Sequence, residues 1–214
     1  MIELKDVTKV YKGDTYETYA LKNLSLNIED GEFVAIMGRS GSGKTTLLNI
    51  IGCMDSASQG TVIIDDIDIS NASAHKLDVV RRNKISFIFQ NYALMQQYSV
   101  YENIEVPLNA RNIKGQKKRA AIKDIMNKLG ISELAKKYPN QISGGEQQRT
   151  AIARAFVSDT KYILADEPTG ALDYENAIEL MKLIKELHKA GKTIIMVTHD
   201  SQIASYADRV VELS

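Results

Sequence analysis

The sequence contains no tryptophan, three prolines and a single cysteine, Cys53, among its 214 residues. One cysteine excludes a disulfide within the chain and fits a reducing compartment such as the cytosol. There is no run of about 18 apolar residues, so no membrane-spanning helix is predicted, and the first residues lack the pattern of a secretory signal. Basic and acidic side chains balance at 27 each, so no overall positive field indicates a nucleic-acid partner.

What the sequence does contain is a glycine-rich loop between a predicted strand at 33–37 and a predicted helix at 46–51. The loop matches the P-loop pattern G-x-x-x-x-G-K-[ST], in which backbone N–H groups surround a nucleotide phosphate. Its residues are Gly38, Arg39, Ser40, Gly41, Ser42, Gly43, Lys44 and Thr45, followed by Thr46. We predict nucleotide binding, with Lys44 on the β- and γ-phosphates and the Thr45 hydroxyl on Mg²⁺. A glycine-rich turn without a ligand is the alternative, which the flanking strand and helix disfavour.

A later apolar strand ends in two adjacent carboxylates, Asp166 and Glu167. Ligands of parallel sheets bind at the carboxyl ends of the strands, so this pair is expected beside the P-loop. The arrangement is a Walker B motif. Asp166 is predicted to serve Mg²⁺, directly or through water, and Glu167 to act as general base toward the attacking water. Two strand-end carboxylates that only face solvent are the alternative.

Strands alternate with helices along most of the chain, which predicts an α/β fold with a mostly parallel sheet covered on both faces. Alternating polarity at 2–10 and 20–28 indicates antiparallel strands around a turn near Gly13 and Asp14. The other predicted strands are 33–37, 60–64, 84–89, 161–166, 192–197 and 209–213. Helical spacing covers 46–51, 72–83, 101–111, 116–129, 132–138, 147–156 and 174–189. The chain stops directly after its last strand, where a hairpin partner is expected, so a longer natural chain is predicted.

We expect a single domain over residues 1–214. Residues 1–90 and 146–214 are predicted to form a P-loop NTPase core of the RecA type together with an antiparallel β subdomain. The strand signal disappears from about 91 to 145, which predicts a helical insertion there. The basic run at 114–119 is interpreted as a solvated helix start rather than a contact for nucleic acid or lipid head groups, because no aromatic residues interleave with it.

A second glycine loop precedes the predicted helix that starts at Gln147, and it carries a resemblance to a known family. At Ser143, Gly144 and Gly145 the sequence resembles the signature L-S-G-G-Q of the nucleotide-binding subunits of ATP-binding cassette (ABC) transporters. One nucleotide does not need two such loops in one chain. In that family the P-loop of one protomer and the signature of the other enclose each ATP. The resemblance therefore implies ATP and Mg²⁺ as ligands, ATP hydrolysis, and a homodimer that forms on ATP binding.

The resemblance extends to further positions of this sequence. Gln90 matches the Q-loop, which implies that it senses Mg²⁺ and water and meets the membrane partner. His199 matches the switch histidine that contacts the γ-phosphate. Tyr11 matches the aromatic residue that stacks on adenine, and Tyr16 and Tyr19 are the alternatives. The expected catalytic residues are therefore Lys44, Gln90, Glu167 and His199. The expected metal-binding residues are Thr45, Gln90 and Asp166.

Within the family, the sequence looks closest to the branch of macrolide-exporter, lipoprotein-release and bacitracin-type peptide-resistance ATPases. This implies a peripheral subunit at the cytoplasmic face of the plasma membrane that powers an integral permease, for export of or resistance to an antimicrobial peptide or other amphiphile. A regulatory ATPase of the cell-division type, which drives a transmembrane signal without moving cargo, stays open. A soluble cassette ATPase of DNA repair or translation is a third alternative, but such proteins carry long coiled-coil insertions or duplicated cassettes, which this sequence lacks. A P-loop kinase or GTPase leaves the second glycine loop unexplained.

Overall fold

The computed structural model describes residues 1–13 and 16–213, and its elements follow the predicted alternation of strands and helices. In chain order they are β1 (Ile2–Lys12), β2 (Glu17–Ile28), β3 (Phe33–Gly38), α1 (Lys44–Ile51), β4 (Gln59–Ile64), β5 (Ile67–Asp68), α2 (Ala74–Lys84), β6 (Ile85–Ile88), α3 (Val100–Ala110), α4 (Gly115–Lys128), α5 (Gly144–Phe156), β7 (Tyr162–Asp166), α6 (Tyr174–His188), β8 (Thr193–Val197), α7 (Ser201–Ala204) and β9 (Arg209–Leu213). Within the described ranges, no helix is both long and apolar enough to cross a membrane.

Four strands form an antiparallel sheet in the order β2-β1-β4-β5. In β1, Ile2 and Leu4 are buried while the residues that follow each of them reach toward solvent. This period of two is the alternation that predicted the strand pair. The predicted turn includes Gly13, whose N–H donates to the Tyr16 carbonyl at 2.9 Å. Asp14, the other residue of that prediction, lies outside the described residues.

The other five strands form a parallel sheet in the order β6-β7-β8-β3-β9. Because these strands all run in the same direction, their carboxyl ends lie along one edge of the sheet. β3 ends there at Gly38 and β7 at Asp166, and Gln90 follows β6 at the same edge. The sheet therefore places the predicted P-loop, Walker B residues and Q-loop side by side.

Both faces of the parallel sheet are covered. Neighbouring residues of a strand point to opposite faces, and each face packs into a different hydrophobic core. In β3, Phe33 and Ala35 pack with apolar residues of α3, α4, α5 and α6. Val34 and Ile36 point the other way and pack with α1 and the antiparallel sheet. Burial on both faces explains why these strands are continuous apolar runs in the sequence. The predicted class, a mostly parallel sheet with helices on both faces and an antiparallel subdomain, is confirmed.

The stretch from 91 to 145 is helical, as predicted, but one of its three predicted helices is wrong. Over Ser132–Tyr138 only a single 3₁₀ turn forms, at Ser132–Leu134. The carbonyls of Ala135 and Lys137 instead accept hydrogen bonds from the first two N–H groups of α3. These groups would otherwise lack a partner at a helix start, so capping α3 competes with extending the turn.

At the opposite edge of the parallel sheet, a charged cluster around Asp65 joins the two sheets. Asp65 follows β4, and its carboxylate accepts hydrogen bonds from Lys84 Nζ at 2.6 Å, Lys161 Nζ at 2.5 Å and the Tyr162 hydroxyl at 2.5 Å. Burial opposes ionisation of this carboxyl, which is 17% exposed, but the three hydrogen bonds outweigh that effect and lower the pKa of Asp65. The antiparallel sheet is thereby tied to the starts of β6 and β7.

We expect Asp65→Asn to lower the free energy of unfolding by about 1–3 kcal/mol at neutral pH, because a neutral amide replaces the charged acceptor of these bonds. A lowered pKa stabilises the fold above the unfolded value of the carboxyl, about 3.9, and this contribution is lost as the pH falls further. In urea unfolding, the difference between the two proteins should therefore shrink from about pH 5 to about pH 3. The matched change Asp124→Asn removes an exposed ion pair and should alter unfolding little; an equal loss in both variants would contradict this account.

Candidate nucleotide site

The P-loop adopts a backbone path that requires glycine. Helix α1 begins at Lys44, and Gly43 before it has φ 89°, in the left-handed region that residues with a Cβ rarely adopt. A Cβ on Gly43 would lie 2.1 Å from the carbonyl oxygen of Ala20 in β2, closer than real atoms approach. Only glycine therefore lets the loop pack against β2. The unpaired N–H groups of the first turn of α1 face no acidic residue of that turn, as suits an anion site.

Lys44 is buried, and its ammonium lies within the loop that it is predicted to serve. Its Nζ donates to the carbonyl oxygens of Gly38 and Arg39, both at 2.8 Å. A cation held by main-chain carbonyls keeps its full charge available to an incoming phosphate. This position agrees with the role predicted from the motif.

The two Walker B carboxylates have different surroundings. Burial raises the pKa of Asp166, and a hydrogen bond from Thr45 opposes the shift. Glu167 has φ 44°, and its N–H donates to the Val197 carbonyl at the end of β8, at 3.0 Å. This backbone turn directs the Glu167 side chain to the edge of the sheet, next to Asp166.

Glu167 stands between two other residues that the sequence singled out. The amide of Gln90 donates to Glu167 Oε2 at 3.3 Å, and His199 Nδ1 lies 3.0 Å from Glu167 Oε1. A carboxylate held from both sides is oriented to take a proton from a water in the cavity. The structure thus brings together the four predicted catalytic residues, because Lys44 lies across the same cavity.

The cavity itself has a volume of about 470 Å³, within the range of small-ligand sites. It is lined by Thr18, Tyr19, Ala20, Ser40, Gly41, Gly43, Lys44, Thr45, Thr46, Gln90, Asp166, Glu167, Val197 and His199. The contribution of β2, through Thr18 and Ala20, was not predicted. The sequence gives only a weak signal for Thr18 and Ala20, since neither residue type indicates a ligand. Both residues reach the cavity because β2 packs against Gly43.

The tyrosine predicted to stack on adenine lies at the rim of this site. The Tyr11 hydroxyl donates to Asp55 Oδ2 at 2.8 Å and lies 3.5 Å from the Thr46 hydroxyl. Tyr19, one of the two alternatives, lines the cavity directly. Both rings are exposed. Tyr11 stays the prediction, with Tyr16 and Tyr19 as the alternatives.

The second glycine loop lies outside the residues that line the cavity of its own chain. Ser143 is the N-cap of α5, which begins at Gly144, three residues earlier than predicted. The Glu146 carboxylate accepts from the Ser143 N–H at 2.7 Å and from its hydroxyl at 2.9 Å, and the Ser143 hydroxyl accepts from the Glu146 N–H at 3.3 Å. This capping box fixes the loop and lowers the pKa of Glu146. It gives a structural reason for glutamate at position 146, where the L-S-G-G-Q signature has glutamine.

The residues near the P-loop fit Mg²⁺. The Thr45 hydroxyl, the Asp166 carboxylate and the Gln90 amide provide oxygen donors at one edge of the cavity. Across the described part of the chain, no group of three histidine, cysteine, aspartate or glutamate side chains forms an all-protein metal cage. The oxygen ligands of Thr45, Asp166 and Gln90 suit Mg²⁺, which keeps waters and shares its coordination with substrate phosphates.

Comparison with known proteins identifies this arrangement. A family model described as "ABC transporter" matches residues 21–170. The chain belongs to the ABC transporter family. The ABC ATPase class predicted from the two glycine loops and Walker B is thereby confirmed, while the roles of individual site residues stay predictions.

Among the relatives of this ABC domain, MJ0796 of Methanocaldococcus jannaschii, an uncharacterized ABC transporter ATP-binding protein, is 46% identical over 221 residues, which covers all of this chain and 93% of that protein. The macrolide export ATP-binding/permease protein MacB of Hyphomonas neptunium is 46% identical over 213 residues, all of this chain but 33% of the relative. The chain thus spans about a third of the length of the MacB proteins that it matches. The solved dimeric structure of the MJ0796 cassette matches with a TM-score of 0.92 at 44% identity, over 100% of this chain and 94% of that one.

We expect Lys44→Ala to abolish tight Mg-ATP binding or turnover, because the β- and γ-phosphates lose the charged partner that the P-loop provides. Titration with a fluorescent ATP analogue and a phosphate-release assay measure the two effects. Lys76→Ala, which removes an exposed lysine of α2, is the control and should behave as the parent. Near-parental ATPase activity of Lys44→Ala would rule out the P-loop assignment.

Proposed function

We propose that this chain is the ATP-hydrolysing subunit of a membrane transporter, in which Mg-ATP closes a homodimer and hydrolysis opens it. The observation that carries the proposal is the division of the site within one chain. The P-loop, Gln90, Glu167 and His199 surround one cavity, whereas the loop at Ser143–Gly145 lies outside it. Two such chains facing each other would complete each site with the second loop of the partner.

The solved relatives support this reading. The MJ0796 cassette has been determined as a dimer, and a second structure of it is a dimeric post-hydrolysis state bound to ADP and phosphate. At 43–44% identity over the full length of the present chain, the same assembly is the simplest expectation. Homodimerisation on ATP binding is therefore part of the proposal.

In the proposed reaction, each feature of the cavity has a task that its geometry allows. Lys44 and the N–H groups of the P-loop hold the phosphates and neutralise charge on the γ-phosphoryl group. Glu167 accepts a proton from the attacking water, and Gln90 and His199 keep its carboxylate in place. When bound through Thr45 and Asp166, Mg²⁺ would supply electrostatic stabilisation of the triphosphate.

The partner proposed for the closed dimer is an integral permease, which would place the chain peripherally at the cytoplasmic face of the membrane. The MacB relatives carry ATP-binding and permease functions in one longer protein. In the present chain, the loop after Gln90 offers a contact surface: Met95 and Tyr98 are each 39% exposed, whereas Leu94 is buried. Exposed methionine and tyrosine are residue types enriched in protein interfaces.

For the cargo, we propose export of an antimicrobial peptide or another amphiphile, which the sequence branch and the macrolide-export names of the MacB relatives support. The second candidate is a regulatory ATPase of the cell-division type that transmits a conformational change without moving cargo. A transport assay in vesicles with the co-purified permease separates these two functions.

We expect Glu167→Gln to slow hydrolysis by about 10²–10⁴-fold, because it removes the general base while keeping the side chain's shape. The loss of a negative charge beside the γ-phosphate should leave ATP bound at least as well. Since ATP would stabilise only the closed dimer, the variant should run as a dimer on size exclusion with Mg-ATP and as a monomer without it.

The control for this experiment is Ser143→Arg added to Glu167→Gln. A bulky side chain in the second phosphate loop should restore the monomer in the presence of Mg-ATP. If the double variant still dimerised, the signature loop would not be the partner's half of the site. Normal turnover of Glu167→Gln alone would mean that another residue is the base.

Introducing a charge at the proposed permease surface should separate transport from hydrolysis. We expect Met95→Glu to lower transport in vesicles at least about tenfold, because a carboxylate is costly to bury in an apolar contact, while ATP hydrolysis by the isolated chain stays measurable. Lys123→Glu, at an exposed position of α4, is the matched control and should transport normally. If Met95→Glu simply unfolds, the segment belongs to the subdomain core and the interface assignment fails.

A further inference from the structure

The loop between β6 and α3 contacts helix α5 at two places. At the first turn of α5, a Cβ placed on Gly144 would lie 3.4 Å from the Tyr92 hydroxyl, so the phenol rests against the signature loop. Near the last turn, the two terminal nitrogens of Arg154 donate to the carbonyl oxygens of Ala93 and Tyr92, at 2.6 and 2.7 Å. Gly144 and Arg154 lie about 15 Å apart along the helix axis, because an α-helix rises about 1.5 Å per residue.

Arg154 is half-buried, so its charge is partly withdrawn from water. Burial lowers the pKa of Arg154, and no carboxylate among residues 1–13 and 16–213 contributes an opposing effect. Its hydrogen-bond partners are the two main-chain carbonyls. A charge that is partly withdrawn from water is unfavourable unless hydrogen bonds satisfy it. The guanidinium is therefore held in place by the main chain of this loop.

The two residues that Arg154 holds have an unfavourable backbone conformation. Tyr92 has φ 64° and Ala93 has φ 48°, both in the left-handed region. Consecutive residues with a Cβ seldom adopt this conformation unless contacts impose it. The same loop starts at Gln90, whose amide contacts Glu167 in the nucleotide cavity. Arg154 thus fixes a loop that begins at the reacting centre.

We propose that Arg154 is a positioning residue that couples the Gln90 loop to the signature helix. When Gln90 and Glu167 engage the nucleotide, the position of the loop is passed through the two hydrogen bonds to α5, which places Ser143–Gly145 toward the partner. A guanidinium suits this task, because its planar fork fixes direction as well as distance. The inference rests on the proposed ATP-driven homodimer and adds a residue that belongs to neither glycine loop.

The test replaces Arg154 by methionine, which keeps the apolar stem and removes the fork. In the Glu167→Gln background with Mg-ATP, we expect Arg154→Met to raise the dimer dissociation constant in sedimentation experiments at least about tenfold, equal to 1.4 kcal/mol. In the monomeric Ser143→Arg background, affinity for Mg-ATP should stay within about twofold of the parent. A merely structural arginine would not separate these two readouts, because a general loss of folded protein lowers both dimerisation and nucleotide affinity.

Two further variants make the result specific. Arg119→Met applies the same substitution to an exposed arginine of α4 and should leave the dimer dissociation constant within about twofold. Arg154→Lys keeps the charge but not the fork, and should weaken the dimer in the same direction by a smaller factor. If Arg154→Met fails to fold, the lysine variant provides the comparison with Arg119→Met.

The outcomes separate this inference from the proposed function. Parental dimerisation of Arg154→Met, or an equal loss of monomer affinity for ATP, would overturn the coupling role. If Glu167→Gln itself does not dimerise, the proposed function fails, and hydrogen exchange on the monomer then decides the role of Arg154. Mg-ATP should slow exchange at residues 142–148 in the parent but not in Arg154→Met. Equal exchange changes in both proteins, or none in the parent, would contradict the coupling.

Discussion

The nucleotide site depends on the parallel pairing of β7 between β6 and β8. That pairing aligns Asp166 with Val197 at the carboxyl edge, so the strand ends cannot move apart without breaking the sheet. The N–H of Glu167 continues the ladder by donating to the Val197 carbonyl. Backbone hydrogen bonds therefore position Glu167, the proposed general base, together with Gln90, His199 and the P-loop. The side chains then have only a short distance to span.

Within this frame, opposite charges are kept apart until a ligand can join them. Lys44 is held by carbonyl oxygens of the loop, and Asp166 is shielded enough for burial to raise its pKa. Neither group forms an ion pair with the other in the described structure. In the proposed complex, the triphosphate would face the Lys44 charge and a divalent cation would face the Asp166 carboxylate. Binding would therefore bring each group a further charged partner.

Much of this arrangement could be predicted because it follows from local patterns of apolar and polar residues in the sequence. Apolar runs followed by glycines or by carboxylates predicted β3 and β7 and the edge of the sheet at which both strands end. The failures came from contacts between distant segments. The helical spacing of apolar residues at Ser132–Tyr138 predicts a helix. Carbonyl groups of this segment instead accept hydrogen bonds from the first N–H groups of α3. The predicted boundary between the helical insertion and the core, at residue 146, falls in the first turn of α5. The start of this helix at Gly144 depends on the Ser143–Glu146 capping box. The division into subdomains stays a prediction.

The Asp65 cluster has a consequence for how the chain responds to ionic strength. Dissolved ions screen exposed charges more strongly than buried ones. At about 0.15 M salt, the interaction between two exposed charges is largely screened beyond about 8 Å. The Lys128–Asp124 pair on α4 is 58% and 62% exposed, whereas Asp65 is largely sheltered by the sheets that it joins. Added salt therefore weakens pairs such as Lys128–Asp124 first. The attachment of the antiparallel sheet to the parallel one persists to higher salt than the pairing on the helical surface.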